Sequence, residues 1–509
     1  MATIFHSSLP ASLHAQTRIP LSRNVRIFNC VSLDQTTSAS STTSSSAATD
    51  SLRVVFAAGG TGGHIYPALA IADALKSLNP KTQFLFVGTP KSMEAKAVPF
   101  SGYPFTAVPA APLVRPLFSP NNFFILPFVI TKSTFKSYKI LQEFNPHIVI
   151  GTGGFVSFST CLAAALKGVK LVIQEQNSVP GIANFLLSLF ADKIFVAFDS
   201  TVKSFLRRSK CVVCGNPVRL SLMKQESKTV ARQHFFPNVA AKEGLEDVKV
   251  VLVLGGSLGA QTINFALLNS CYQMLNECED LFIIWQTGVE AFSEMESLAR
   301  NHPRVVLTPF LPALDLAYAA ADLVVSRAGA MTCSEVLATG KPCILIPSPN
   351  AAEGHQFKNA SLMANLAGSR VIMEDELGST SLRNAIEEML DNETLMAEMS
   401  ERALRAAKPN ASAEIAQHII SLVNLSTTKN DPAKALNVPA IALGAFLAAL
   451  YPVAYLPQLF SGLKSQVSAQ NMMHPQLFQK LMSNKFCERD MVQKVGLLFQ
   501  CLAHWSTIL

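Results

Sequence analysis

From residue 51 onward, apolar runs and amphipathic runs alternate along the chain in a regular strand–turn–helix order. The strand-like runs are short, continuously apolar and rich in β-branched residues, as in "RVVFAAGG", "TQFLFVG", "HIVIGTGG" and "KLVIQEQN". Helix-like segments lie between them, as in "PALAIADALKSL" and "FVSFSTCLAAALKG". Continuous rather than alternating apolar strands predict a parallel sheet that is covered on both faces.

A second series of the same kind begins at "VKVVLVLGG". It continues through "LFIIWQTG", "RVVLTPF", "DLVVSRAGA" and "PCILIPSP". The two series meet near "GNPVR", at residues 215–219. The predicted fold class is therefore α/β, with two doubly wound Rossmann-like domains, 51–218 and 219–408, that face an interdomain cleft.

The two ends of the chain differ from this core. Residues 1–33 contain no acidic residue but three arginines, and a Ser/Thr tract follows them. This composition predicts a disordered transit peptide over residues 1–50 and a location in the chloroplast stroma, peripheral to the inner envelope or thylakoid membrane. Residues 426–509 are an atypical apolar extension with an uncharged run between Lys434 and Lys464. That run is long enough for a membrane anchor, but its prolines equally favour a poorly ordered or spurious extension.

Bulk composition excludes several classes of protein. Of 509 residues, 49% are hydrophobic and 15% are charged, which is typical of a globular protein. The net charge of +7 suits anionic lipid surfaces or phosphorylated substrates and does not favour nucleic acid. The only C-x-x-C motif pairs Cys211 with Cys214, and with no second pair we expect buried thiols rather than a metal site.

Three glycine loops each follow a predicted strand and precede a predicted helix, at residues 59–63, 151–154 and 255–259. A dinucleotide site needs G-x-G-x-x-G and an acidic residue at the end of the second strand. Neither is present, because "GGTGGH" and "GGSLGA" lack the spacing and the second strand ends in Gly88-Thr89. The chain also lacks a P-loop motif, so the sequence does not favour NAD(P) or ATP as a ligand.

Glycine loops at helix N-termini offer backbone N–H groups and a positive dipole end, which suits a diphosphate. Ser257 could add a hydroxyl donor, and Arg219 could add a cation with bidentate reach. Glu335, in "SRAGAMTCSEVLATGKPCILIPSP", could accept both hydroxyls of a ribose. Each of these residues also has an ordinary structural interpretation, and only the surrounding pattern favours a nucleotide site.

Seven motifs in order carry a family resemblance: "GGTGGHIYPALAIA", "GTGGFVS", "EQN", "GNPVR", "GGSLGA", "SRAGAMTCSE" and "HQFKNA". Together they resemble the bacterial MurG transferases, N-acetylglucosaminyltransferases that convert lipid I to lipid II. The resemblance spans Arg53 to Asn424. It implies a GT-B fold in which the second domain holds UDP-GlcNAc and a C-terminal helix, residues 409–425, crosses back to the first domain.

The resemblance also implies roles for individual residues. The donor UDP-GlcNAc would contact a set of second-domain and cleft residues: Asn177, Arg219, Gly256, Ser257, Leu311, Ala330, Met331, Thr332, Glu335 and Gln356. The acceptor diphosphate would contact residues of the first two glycine loops: Gly60, Thr61, Gly62, Gly63, Gly153 and Gly154. The family's His-Glu-Gln-Asn reads "QEQN" here, with Gln174 in place of the histidine.

MurG-like enzymes invert the anomeric centre by direct displacement, so one general base suffices. His64, at the mouth of the first loop, is the first candidate for this base, and Glu175 is a weaker candidate. An alternative role for the His64 imidazole is a hydrogen bond to a phosphate or to a backbone carbonyl. The chain contains no Asp-x-Asp, so we expect no metal site and no tightly bound cofactor, and a divalent cation could at most stimulate the reaction.

The implied partners are UDP-GlcNAc, a lipid-diphosphate acceptor and a peripheral membrane surface, without nucleic acid. Residues 109–139 mix apolar residues with Arg115, Lys132, Lys136 and Lys139, which is typical of docking on an anionic bilayer. Two other functions stay open. One is a different chloroplast lipid glycosyltransferase, such as a galactolipid synthase, and the other is an inactive UDP-sugar-binding scaffold.

Overall fold

The computed structural model describes residues 51–111, 125–224, 226–240, 247–256, 258–299, 302–351 and 354–427. The expectations for the transit peptide, for Arg115, for Ser257 and for the extension beyond residue 427 lie outside these residues. Within them, the chain forms two parallel β-sheets, each flanked by helices on both faces. The predicted α/β fold with two doubly wound domains is confirmed.

In the described residues, the first domain contains seven strands and six helices, and a short 3-10 helix at Arg208–Lys210 precedes its last strand. The elements are β1 (Arg53–Ala58), α1 (Gly62–Leu78), β2 (Gln83–Gly88), α2 (Met93–Phe100), β3 (Phe105–Ala107), α3 (Leu126–Phe144), β4 (Ile148–Gly153), α4 (Phe155–Lys167), β5 (Lys170–Glu175), α5 (Ile182–Leu187), β6 (Lys193–Val196), α6 (Asp199–Val202) and β7 (Cys211–Val213).

The described part of the second domain contains six strands, and a 3-10 helix at Leu220–Met223 leads into it. The elements are α7 (Lys228–Phe235), α8 (Pro237–Ala240), β8 (Lys249–Leu254), α9 (Gln261–Leu268), α10 (Cys271–Glu277), β9 (Leu281–Gln286), α11 (Phe292–Leu298), β10 (Val305–Thr308), α12 (Leu314–Ala320), β11 (Leu323–Ser326), α13 (Ala330–Thr339), β12 (Cys343–Leu345), α14 (His355–Ala367), β13 (Arg370–Val371), α15 (Ser379–Leu390) and α16 (Glu393–Ala406). A last helix, α17 (Ala411–Thr427), follows the second domain.

Strand order locates the ligand-binding edge of each sheet. The orders are β3-β2-β1-β4-β5-β6-β7 and β10-β9-β8-β11-β12-β13, with every pair parallel. The direction of progression reverses between β1 and β4 in the first sheet and between β8 and β11 in the second. In open parallel sheets ligands bind beyond the carboxyl ends of strands at such a reversal. The loops that begin at Gly59, Gly153, Gly255 and Gly329 all lie there.

Helix α1 begins earlier than the apolar pattern predicts. The pattern suggested a helix from Pro67, but the structure starts it at Gly62, with Pro67 inside. The backbone N–H groups of His64 and Ile65 both donate to the carbonyl of Thr61, so the glycine-rich turn runs directly into the helix. His64 is therefore fixed to a helix N-terminus rather than to a separate loop.

Helix α17 packs against α1 of the first domain. Its buried residues Ile415, Ala416 and Ile419 belong to the same core cluster as Ile71 and Leu75. Burying an isoleucine side chain contributes about 2 kcal/mol, so this contact ties the end of the chain firmly to the first domain.

The described part of the chain contains no helix that is both long enough and apolar enough to span a bilayer.

Candidate active site

The first glycine loop holds the imidazole of His64 in one tautomer. The Nδ1 atom lies 2.9 Å from the carbonyl oxygen of Gly59, which can only accept, so Nδ1 carries the proton. The second ring nitrogen, Nε2, is then the basic atom of the neutral side chain. Burial lowers the pKa of His64 below its ordinary value; the Gly59 bond raises it, and the charge of His355 lowers it further. His64 is therefore a neutral potential base near pH 7.

The glycine at 153 makes room for this imidazole. Gly153 has φ +111°, and a Cβ atom there would lie 2.7 Å from Cδ2 and 2.9 Å from Nε2 of His64. The hydroxyl of Thr152 donates to the backbone carbonyl of His64 at 2.8 Å. At Gly154 a Cβ atom would lie 2.1 Å from the Gly59 carbonyl oxygen. The second glycine loop thus packs directly on the first.

A buried carboxylate that the sequence does not predict accepts a hydrogen bond from the first glycine loop. Glu94, on α2, is 1% exposed. It accepts hydrogen bonds from the N–H and hydroxyl of Thr89 at 3.0 and 2.5 Å and from the N–H of Gly60 at 3.3 Å. Burial alone would raise the pKa of Glu94, but the hydrogen bonds from Thr89 and its neighbours lower it overall, so the group is ionised.

This carboxylate changes the interpretation of the predicted acceptor-diphosphate residues. The N–H of Gly60 already donates to Glu94, and the hydroxyl of Thr61 lies 3.3 Å from Nδ1 of His64. Gly62 and Gly63 lie in the first turn of α1, where backbone N–H groups have no partner within the helix. Of the first loop, these two glycines are the best placed to donate to an anion.

Glu175, the weaker candidate for the base, lies at the end of β5 with both carboxylate oxygens occupied. One oxygen accepts from the backbone and side-chain nitrogens of Asn177 at 3.0 and 3.1 Å. The other accepts from the N–H of Gly181 at 3.1 Å and from the side chain of Asn184 at 2.8 Å. Burial raises the pKa of Glu175. This geometry favours a role in positioning Asn177 over direct contact with substrate.

Asn177 lies where the two domains touch. Its side-chain oxygen accepts from Asn359 of α14 at 3.3 Å. The Asn359 side-chain oxygen accepts from the N–H and hydroxyl of Ser178 at 3.0 and 2.8 Å. A buried amide therefore links the first domain to the helix that carries the predicted sugar ligand Gln356.

A second buried chain of amides runs through Gln174. Its Nε2 donates to Asn216 of the interdomain linker at 2.9 Å, and Asn216 donates to the hydroxyl of Ser334 on α13 at 2.9 Å. Gln176 donates to both the Gln174 side chain and the carbonyl of Thr152. Gln174 is thus a neutral structural link, which fits the absence of a histidine at this position.

The donor-side loop is held by its backbone. The N–H of Gly255 donates to the carbonyl of Gln286 at 2.9 Å. Gly259 has φ +108°, and a Cβ atom there would lie 2.7 Å from the carbonyl oxygen of Thr287. Gly256, with φ +80°, is exposed and faces open space, where a ligand can approach its backbone.

Helix α13 presents the second helix N-terminus of the donor side. Three predicted sugar-phosphate ligands, Ala330, Met331 and Thr332, form its first turn, after Gly329 as N-cap. Glu335 follows one turn later, 7% exposed, and accepts from the hydroxyl of Tyr318 at 3.1 Å. Burial raises the pKa of Glu335 to about 7, against the opposing effects of Arg219 and Tyr318.

Three donor-side predictions remain, and each has its own surroundings. Arg219 directly precedes the 3-10 helix that enters the second domain, and its guanidinium lies 3.7 Å from the ring centroid of Tyr66. Leu311 is buried behind β10. Gln356, in the first turn of α14, accepts from the N–H of Ser348 at 2.9 Å.

The structure adds Glu94, Tyr66, Asn359 and Arg327 to the site. Arg327 forms an ion pair with Glu374 and donates to the hydroxyl of Thr262 on α9 at 2.9 Å. The motifs "GGHIYP", "HQFKNA" and "SRAGA" contain three of these residues, so their presence in a motif was a usable signal. Glu94 lies outside every motif, and nothing local in the sequence distinguishes it.

Comparison with known proteins decides the family. Residues 54–196 match the glycosyltransferase family 28 N-terminal domain, and residues 250–419 match the family 28 C-terminal domain. A curated protein of Flavobacterium psychrophilum is 40% identical over 374 residues, covering 74% of this chain and 98% of the relative. It is named UDP-N-acetylglucosamine–N-acetylmuramyl-(pentapeptide) pyrophosphoryl-undecaprenol N-acetylglucosamine transferase.

The chain belongs to glycosyltransferase family 28. The resemblance to MurG transferases that its seven motifs predict is confirmed. Among solved structures, the family 28 chain resembles Acinetobacter baumannii MurG, with TM-score 0.55, 28% identity and coverage of 74% of this chain and 99% of that one. It shares its fold alone with a Neisseria meningitidis UDP-GlcNAc 2-epimerase bound to UDP-GlcNAc, at TM-score 0.52 and 14% identity, covering 74% of this chain and 100% of that one. The family, rather than the fold, therefore points to glycosyl transfer.

Proposed function

We propose that this family 28 chain transfers N-acetylglucosamine from UDP-GlcNAc to a hydroxyl of a lipid-diphosphate-linked N-acetylmuramyl acceptor, with inversion at the anomeric carbon. The observation that carries the proposal is the His64 imidazole. Its tautomer is set by the Gly59 carbonyl, which leaves Nε2 as the basic atom, and it lies at the N-terminus of α1, directly after β1. The relative from Flavobacterium psychrophilum, named for a transfer of this kind, supports it.

The reaction on these residues is a single displacement. The acceptor oxygen attacks the anomeric carbon of the sugar, and the bond from that carbon to the β-phosphate oxygen breaks with its electron pair going to UDP. The acceptor proton passes to Nε2 of His64, which becomes an imidazolium and later releases the proton to solvent. Asn177, held by Glu175 on one side and Asn359 on the other, borders the sugar.

Charge on the leaving diphosphate is stabilised by groups fixed before the reaction. These are the N-termini of α9 and α13 and the guanidinium of Arg219. We expect no requirement for a bound metal, and any stimulation by a divalent cation would act on the diphosphate itself. A chelator should therefore reduce turnover only modestly.

The test uses the full chain with UDP-GlcNAc or UDP-galactose as donor and a lipid I analogue or diacylglycerol as acceptor. We expect transfer of N-acetylglucosamine to the lipid I analogue, and a drop of at least about a hundredfold in His64→Ala. His234→Ala, which removes an exposed histidine on α7, is the matched control and should keep full activity.

The other outcomes separate the alternatives. Galactosylation of diacylglycerol would identify a galactolipid synthase and refute the proposal. Binding of UDP-GlcNAc without product from either acceptor would identify an inactive scaffold.

We further propose that α3 docks the first domain on an anionic membrane surface. Its buried face carries small hydroxyl residues, Ser133, Thr134 and Ser137, while Phe128 and Phe135 are 69% and 62% exposed. Lys139 lies 4.8 Å from the ring centroid of Phe135, so cations border the exposed aromatics. Exposed aromatic rings flanked by lysines suit the interface between headgroups and acyl chains.

Vesicle sedimentation tests this surface. Replacing Phe128 and Phe135 by serine should weaken binding to vesicles with anionic lipid while leaving thermal stability unchanged, since both side chains are exposed. The matched control is Phe100→Ser, which alters an even more exposed aromatic, 95% exposed, at the end of α2. Equal loss of binding in the control variant would contradict the assignment to α3.

The acid-free N-terminal segment supports a location in the chloroplast stroma, as a proposal from composition. Imaging of residues 1–50 fused to a fluorescent protein in plant cells tests it. Mitochondrial accumulation would refute it.

A further inference from the structure

Tyr66 of the first domain contacts Arg219 of the second domain, a residue that is predicted to bind the UDP-GlcNAc donor. The guanidinium carbon of Arg219 lies over the ring of Tyr66, 3.7 Å from its centroid. Tyr66 stands on α1, four residues after Gly62, where a Cβ atom would lie 3.1 Å from the Tyr66 ring. The glycine therefore leaves the space that the ring occupies. A guanidinium over an aromatic face is held by the negative charge of that face.

Arg219 has a hydrogen-bond donor that no described residue satisfies. Its Nε atom is buried and has no hydrogen-bond partner among the described residues. The ring face thus supplies the contact that locates the guanidinium, and it does so without consuming N–H donors. Donors that are held in place and left unsatisfied suit a dianionic ligand, since a planar guanidinium can bind phosphate oxygens in pairs.

Glu335 is a competing partner for the Arg219 guanidinium. The positive charge of Arg219 reaches the buried Glu335 carboxylate, but the hydrogen bond to that carboxylate comes from Tyr318. A mobile Arg219 would gain by pairing with Glu335 directly. Such an ion pair would engage both the residue predicted to bind the diphosphate, Arg219, and the residue predicted to bind the ribose, Glu335. It would therefore inhibit binding of the donor.

We propose that Tyr66 is a positioning residue for the donor: its ring holds Arg219 toward the diphosphate and keeps it from pairing with Glu335. The first domain then contributes to donor affinity although the predicted nucleotide ligands lie in the second. Donor binding is thereby coupled to the arrangement in which the two domains are in contact. This inference rests on the proposed function, because it assumes a nucleoside diphosphate at Arg219 and Glu335.

The pH dependence of binding reports on the Arg219–Glu335 distance. The titratable and charged groups that face Glu335 are Arg219 at the start of the second domain, Tyr318 from α12 and Cys333 on its own helix. Ionised Glu335 accepts ribose hydroxyls, so donor affinity should rise as pH increases through about 7. If Arg219 moves onto Glu335, the pKa of that carboxyl falls and the inflection moves to lower pH.

The experiment is a calorimetric titration of UDP into the full chain and its variants, repeated across this pH range. Tyr66→Phe keeps the ring face and should bind UDP within about twofold of the unaltered chain, with the same inflection. Tyr66→Leu should bind about tenfold more weakly, with the inflection at lower pH. If Tyr66 had a purely structural role, Tyr66→Leu would lower the melting temperature without moving the pH of the inflection in UDP affinity. Protonation of UDP itself affects all variants equally.

Two further variants keep the proposal falsifiable if Tyr66→Leu folds poorly. Arg219→Lys keeps the charge but loses most of the stacking, and it should also bind UDP about tenfold more weakly. Arg219→Ala tests the underlying site. Loss of UDP binding in Arg219→Ala with unchanged binding and inflection in Tyr66→Leu would overturn this inference and leave the proposed function standing. A tenfold loss in Tyr66→Phe would also overturn it, and absence of UDP binding by the unaltered chain would refute the proposed function itself.

Discussion

The glycine loops after β1 and β8 occupy equivalent positions in their sheets but are built in different ways. The first is fixed by side chains, with Glu94 below it and His64 bonded across it to Gly59. The second is fixed by backbone contacts to residues 286–288, which leave Gly256 exposed. Glu94 takes up the N–H of Gly60 in the first loop, whereas the exposed backbone of Gly256 in the second is open to an anion. The comparison supports the proposal that the first loop orients an imidazole and that the second binds the nucleotide diphosphate.

Gly153→Ala should break the first loop most severely. The new Cβ atom would lie 2.7 Å from the imidazole at a backbone φ of +111°, so His64 must move. Because displacement of a catalytic group by about 1 Å can reduce rate about a hundredfold, we expect a loss of that size in turnover with UDP affinity preserved. Gly168→Ala, at φ +74° with no atom near the added methyl, measures the backbone strain alone. Equal losses in the two variants would contradict the steric argument.

Glu335→Gln tests the donor side of the comparison, because it should remove a pH dependence of the unfolding free energy. Burial raises the folded-state pKa of Glu335 from 4.5 to about 7, so its stabilising contribution is present below pH 4.5 and is lost as pH rises through about 7. The difference corresponds to about 3 kcal/mol of unfolding free energy. Denaturant unfolding of the ligand-free chain at several pH values should show this loss, and the glutamine variant should lack it. A variant that retains the pH dependence would assign it to another group.

Glu94→Gln should loosen the first loop without touching the second. The amide has one acceptor oxygen where the carboxylate has two, so either Gly60 or Thr89 loses its partner. We expect a loss of about 2 kcal/mol in unfolding free energy and a reduced turnover. Calorimetric UDP affinity should stay unchanged; a weaker affinity would show that the two loops are not independent.

Gly256→Ala should have the smallest effect on folding. The added methyl faces open space, so only the positive φ of +80° opposes it, at a cost of about 1 kcal/mol. UDP affinity should fall more than stability, because the methyl lies on the face that a diphosphate approaches. Thermal unfolding and UDP titration on the same preparation measure the two losses. A loss of stability that exceeds the loss of UDP affinity would show that the loop does not contact the nucleotide.

The sequence predicts the parts of the fold that have a strong local signature. Long buried strands such as β1, β4 and β8 read as continuous apolar runs. The short strands β3, β7 and β13 do not, because their two or three residues are half-buried or exposed and depend on neighbouring strands for their hydrogen bonds. The early start of α1 also escaped the pattern, because glycines carry no hydrophobic period.

The same distinction applies to the site. His64, Asn177 and Glu335 are candidate site residues because they stand inside recognisable motifs. The links between them could not be predicted, because they join residues that are far apart in sequence, as with Gly60 and Glu94, 34 residues apart, or Ser178 and Asn359, 181 apart. Only the packed structure shows that Glu175 serves Asn177 and that Tyr66 contacts Arg219.

The most direct test of the division between the two loops is a paired measurement on His64→Ala. Turnover with UDP-GlcNAc and a lipid I analogue, and the dissociation constant for UDP, should be determined on the same preparation. We predict a loss of at least about a hundredfold in turnover with UDP affinity within about twofold of the unaltered chain. Parallel loss of both, or retention of turnover, would contradict the assignment of His64 as a base that does not bind the nucleotide.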